Sequence, residues 1–88
     1  MKPTFDPAIE ACLQAAQDNF HTVRTANYQE YRPYCEQLFA YAAEEQSDYL
    51  FAKAYYYMME YYATDNDHIN TISCALEGIK YQQNTQEY

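Results

Sequence analysis

Apolar side chains recur every three or four residues in four separate stretches of this chain, the spacing that gathers them on one face of a helix. Two of those stretches lie between Ala52 and Tyr81, AKAYYYMMEYYATDNDHINTISCALEGIKY. In the first, Phe51, Ala54/Tyr55, Met58 and Tyr61/Tyr62 form the stripe. Asp65-Asn66-Asp67 then interrupts it, because Asn and Asp side chains bond nearby backbone and favour turns and caps. Asn66 or Asp67 can cap the following helix, where Ile69, Ile72, Leu76 and Ile79 line a second face. So short a connection makes the two helices antiparallel neighbours.

The remaining stretches precede this pair. Asp6-Pro7 is a helix start, with Asp as the cap and Pro tolerated at the first helical position. Phe5, Ile9, Cys12/Leu13, Ala16 and Phe20 follow on one stripe. Residues His21 to Tyr28 show no period and are read as a loop. Asn27-x-x-Glu30 has the form of a capping box, but Pro33 argues against so early a start. The second helix therefore begins near Tyr31 or kinks at Pro33, and its stripe is Tyr31, Tyr34/Cys35, Leu38 and Tyr41/Ala42. Ser47 or Asp48 caps the third helix, and the polar residues Gln82 to Tyr88 are expected to fray. The pattern thus predicts one all-α domain over 1–88, with four antiparallel helices at about 6–20, 30–46, 48–65 and 67–83. Its expected core is Ile9, Leu13, Leu38, Phe51, Tyr55, Met58, Tyr62, Ile72 and Leu76.

The Ala52–Tyr81 hairpin resembles a tetratricopeptide repeat, a helix pair of 34 residues with large side chains at positions 4, 7 and 11 and small ones at 8, 20 and 27. Counted from Ala52, the large positions fall on Tyr55, Met58 and Tyr62, and the small ones on Met59, Thr71 and Gly78. Met59 departs from that pattern, and Gln83 stands where the repeat's proline would be. A one-residue shift in the turn puts Ile69, Ile72, Leu76 and Ile79 at the key places instead. The likeness covers about a third of the chain, and any αα-hairpin shares the periodicity. Aligning the second helix on the fourth at the repeat's offset gives few identities. The resemblance implies a TPR-like array that binds proteins or peptides without catalysis. It also implies a setting such as the amino-terminal sensory or scaffold segment of a bacterial signalling protein, diguanylate cyclases among them. The alternative is a small stand-alone helical protein that self-assembles.

Composition narrows the partners. The formal charge is −8, with Lys2, Arg24, Arg32, Lys53 and Lys80 as the only basic side chains. An acidic surface repels phosphates and anionic headgroups, so neither nucleic acid nor membrane is expected as a partner. No apolar run approaches the ~20 residues of a membrane span, and Met1 to Asp6 lacks a signal-peptide core. Cys12, Cys35 and Cys74 are odd in number and widely spaced, which suits reduced thiols in a cytoplasmic protein. Tyrosine supplies 12 of the 16 aromatic residues, and its polar-tipped ring suits helix seams and binding surfaces.

Reactive chemistry has no foothold in the sequence. Asp65-x-Asp67 opens like a calcium loop, but Asn70 and Leu76 occupy the places of its essential Gly and Glu. His21 and His68 stand apart from any cysteine pair at zinc spacing, and a phosphate loop is excluded with Gly78 as the only glycine. No enzyme, metal or cofactor is therefore expected. Two surfaces remain as candidates. Lys53, Tyr56, Tyr57 and Glu60 occupy the face that such repeats turn to a peptide or partner helix. The family's clamp for acidic tails needs Lys and Asn where Tyr56 and Glu60 stand, so an acidic tail is not the expected ligand. Ile72, Leu76 and Ile79 have a second side that the third helix cannot cover, which leads to the expectation of a homodimer through the fourth helix.

Overall fold

The computed structural model describes residues 4–20 and 28–85. Four helices follow one another: α1 (Pro7–Phe20), α2 (Tyr28–Glu45), α3 (Asp48–Thr64) and α4 (His68–Thr85). No strand occurs among the described residues, so the fold is all-α. The loop expected over His21–Tyr28 and the capping role of Asn27 lie almost wholly outside the described residues, as do the last three residues of the tail. Gln82 to Thr85, expected to fray, instead continue α4 as helix.

Each start has a chemical reason. Asp6 Oδ1 accepts the Ile9 N–H at 3.1 Å, and its carbonyl accepts from Glu10 at 3.0 Å, so α1 begins at Pro7. The second helix starts at Tyr28, earlier than expected, and runs through Pro33. Pro33, the sixth residue of α2, has no N–H to donate to the Gln29 carbonyl, so the helix lacks one backbone bond there.

The two later turns share one construction. At the end of α2, Gln46 takes the left-handed conformation (φ 52°), and the Ser47 N–H donates to the Ala42 carbonyl at 3.1 Å. At the end of α3, Asn66 takes it (φ 59°), and the Asp67 N–H donates to the Tyr62 carbonyl at 2.9 Å. Both are Schellman closures. In both, the next residue already caps the following helix. Ser47 Oγ accepts from Leu50 N at 3.1 Å, and Asp67 Oδ1 accepts from Asn70 N at 3.2 Å. Of the alternative caps, Ser47 and Asp67 are therefore the ones used. Asp67 also accepts from the Asn70 side chain at 2.7 Å. These bonds from Asn70, side chain first, hold its carboxyl below the ordinary carboxylate value.

Turns this tight fold each helix back on its predecessor. The third helix is central: it packs on α4, on α2 and more sparsely on α1, whereas α2 and α4 make no contact. Leu50, Ala54, Tyr57 and Tyr61 of α3 are buried with Ile9, Leu13 and Ala16 of α1 and Tyr31, Cys35, Leu38 and Ala42 of α2. Met58 is buried as well, while Phe51, Tyr55 and Tyr62 are half-buried against the core. Rings fill much of the volume. Phe39 meets Tyr55 edge-on at 4.8 Å, and Tyr31 meets Tyr57 edge-on at 6.5 Å.

The fourth helix departs most from expectation. Ile72 and Leu76 lie outside the core, 60% and 59% exposed. The helix instead turns its small residues inward. Cys74 is buried, and a Cβ added at Gly78 would stand 3.2 Å from Tyr55 Cβ. Tyr81 completes the inner face, stacking on Phe51 at 4.8 Å and on Tyr55 at 5.7 Å. Ile72 and Leu76 sit on the opposite side of the wheel from Cys74 and Tyr81, so they must face outward.

Three outcomes are expected. Gln46→Gly should raise stability in urea unfolding by about 0.5–1 kcal/mol, because a side chain in the left-handed region costs ~1–2 kcal/mol and glycine's chain entropy returns part of that. Leu38→Ala should cost ~2–5 kcal/mol and Leu76→Ala about 1 kcal/mol or less in dilute protein. For Asp67 the folded pKa lies below the unfolded one, so its contribution is present above the ordinary carboxylate range and lost as pH falls through the lowered value. A carbon-detected NMR titration should accordingly give Asp67 a midpoint below that of Asp in an unstructured peptide.

Candidate functional site

The first candidate surface, on α3, is only partly open. Tyr57 is 6% exposed and belongs to the core, where Phe20 meets its ring at 5.8 Å. It shares the stripe of Leu50, Ala54 and Tyr61, spaced four, three and four residues apart, which faces α1 and α2. Little of its ring is therefore open, although it lines a small depression with Gln17, Phe20, Lys53 and Tyr56. Tyr56 is 48% exposed, and one face of its ring stacks on Phe20 at 5.3 Å. Lys53 is half-buried, its Nζ 5.7 Å from the Tyr49 ring centroid in a cation–π contact. Glu60 is half-buried too.

The second surface is larger and apolar. Ile69, Ile72, Leu76 and Ile79 are 83%, 60%, 59% and 50% exposed along one side of α4. They are the only exposed large aliphatic side chains among the described residues. A shallow groove of about 240 Å³ runs beside them between α3 and α4, with Tyr56 and Met59 on one wall and Ala75, Gly78 and Ile79 on the other. Lys53 and Tyr56 rim a second depression next to it, closed by Ala52 and Gln82. The structure thus brings Tyr56 and Lys53 to the edge of the Ile79 surface, while the Tyr57 ring, 5.4 Å from that of Tyr56, turns into the core.

Electrostatically this side is neutral. Glu77 and Lys80 are the only charged side chains in α4 apart from any charge on His68, and they pair at 3.1 Å. The chain's excess of negative charge therefore lies elsewhere. The sequence pattern points Ile72, Leu76 and Ile79 to an interface and also counts Ile72 and Leu76 in the core. The signal that separates the two roles is the pair of small residues Cys74 and Gly78, which lets α4 approach α3 closely on the other side.

None of the surroundings favours covalent chemistry. Burial pushes the Cys35 thiol up to about 12, and it raises Cys12 and Cys74 as well, so all three stay protonated. Cys12 Sγ donates to the Tyr34 carbonyl at 3.5 Å, and no cysteine is disulfide-bonded. Burial likewise raises the Tyr31 hydroxyl. Among the described residues, no group of His, Cys, Asp and Glu is arranged to hold a metal ion, and no helix is long and apolar enough to cross a membrane. No protein-family model, curated protein or solved structure matches the chain.

Proposed function

We propose that this chain is a non-catalytic protein-interaction module of the helical-repeat kind, which holds a protein or peptide partner on the outer side of α4. One observation carries the reading: four aliphatic side chains stand exposed in a row, with an apolar groove beside them. Single exposed aliphatics are ordinary on protein surfaces, but a contiguous stripe marks a contact surface.

The packing supports the repeat-like part of the reading. The first helix touches the third, the second and fourth do not meet, and two successive turns are built alike. Contact between the first helices of successive pairs is what a stacked array requires. Gly78, at one of the repeat's small positions, accepts the close approach of Tyr55, at one of its large ones. In a signalling protein such a module would serve as a sensory or scaffold segment ahead of an output domain. Tyr56 and Lys53, on the rim of the groove, are the residues that would add polar contacts to a partner.

The test is site-specific photo-crosslinking in cells that make the protein. A photoreactive residue at Ile72 should give protein adducts that disappear with Leu76→Lys. The same residue at Gln37, exposed on α2, should give none. Equal labelling from both positions, or none from Ile72, would overturn the reading.

A further inference from the structure

We infer that the partner on the α4 stripe is a second copy of this chain, whose own α4 lies antiparallel across the first about a two-fold axis near Cys74. The inference rests on the interaction reading above and names its partner. Three features of the stripe point to self-pairing.

Spacing comes first. Ile69, Ile72, Leu76 and Ile79 follow one another at intervals of three, four and three, the seam of a two-stranded coiled coil. That order reads the same from either end. An antiparallel copy therefore sets Ile69 against Ile79 of the second copy and Ile72 against its Leu76, and every layer is aliphatic. Next to the axis the flanking side chains are Ser73 and Ala75, small enough for the helices to close. Cys74 and Tyr81 point the other way, into the chain's own core and the α3 seam, so pairing disturbs neither.

Charge is the second feature. Two chains of −8 repel at most approaches, but the α4 side carries only the Glu77–Lys80 pair and exposed His68. In the antiparallel register Lys80 lies opposite His68 of the second copy, one residue from its Asp67. Each copy thus places a cation at the start of the other's α4, beside the Asp67 cap, once at each end of the seam. A parallel pair would set Lys80 against Lys80.

Area is the third. An 18-residue helix is about 27 Å long, and a seam of that length gives less than the ~800 Å² per partner of a standard interface. Against a polar surface so narrow a strip would hold little. Against itself it is matched along its whole length, and a dimer of micromolar dissociation constant is the result to expect.

Sedimentation equilibrium on the full chain, from about 5 to 500 µM, tests this. The wild type should pass from monomer to dimer over that range. Ile72→Glu and Leu76→Lys should each weaken dimerisation by at least ~50-fold, with unchanged far-ultraviolet circular dichroism because both positions are exposed in the single chain. Mixing these two variants should restore a dimer, since positions 72 and 76 oppose each other in this register. Mixing Ile72→Glu with Ile79→Lys should not. A wild type that stays monomeric at 500 µM, or a dimer indifferent to Ile72→Glu, would overturn the inference. In that event crosslinked adducts from Ile72 to a different protein would still uphold the interaction reading, and their absence would end both.

Discussion

The approach of Tyr55 to Gly78 decides how the last helix sits, and with it which side of the molecule is apolar. With 3.2 Å between Tyr55 Cβ and the place a Gly78 side chain would begin, α3 and α4 come together on small residues. Tyr81 then stacks one turn further along on Phe51 and Tyr55, so three rings lock the rotation of α4 about its axis. No freedom remains for Ile72, Leu76 and Ile79 to turn inward. Helical geometry carries them to the far side as surely as it brings Cys74 to the near one.

That rotation explains where sequence reading succeeds and where it fails. On α1 and α2 the apolar stripe has a polar opposite, so Ile9, Leu13, Cys35 and Leu38 are found where the period puts them. The third helix has no such contrast. AKAYYYMMEYY is apolar or aromatic on nearly every side because it packs on three neighbours, and its period cannot choose between the Tyr55–Met58–Tyr62 stripe and the Leu50–Ala54–Tyr57–Tyr61 stripe. The structure uses both. The repeat register puts Tyr57 on the outer face, whereas Phe20 and Tyr31 close over its ring. On α4 the period holds, but the aliphatic side faces outward. Aliphatic residues were expected inside because burial rewards them most, but the rings of Phe51, Tyr55 and Tyr81 already fill the seam that Ile72 and Leu76 would need.

The turns show the same division. Ser47 and Asp67 are legible as caps from their side-chain chemistry, and a connection of two or three residues leaves only an antiparallel return. The left-handed residue at the end of α3 is Asn66, a residue suited to it. At the end of α2 it is Gln46, which nothing in its own chemistry announces. There the conformation goes with the backbone bonds from Gln46 and Ser47 to the Ala43 and Ala42 carbonyls that close the helix.

Exposure of four aliphatic side chains on an acidic protein then acquires a direction. Acids lie on α1, α2, α3 and in the turn at Asp65 and Asp67, so like charges meet wherever two such chains touch with those surfaces. At physiological salt that repulsion acts over about 8 Å, enough to discourage casual contact without reaching across the molecule. The α4 side is exempt, because Glu77 and Lys80 cancel. Net charge therefore performs a selection that hydrophobicity alone cannot. It leaves the stripe open to a partner that arrives along α4 and disfavours the disordered association an exposed apolar patch otherwise invites. The inward turn of the small residues and the outward turn of the large ones are thus one structural decision. The first gives the chain its hairpin, and the second gives the hairpin a surface to offer.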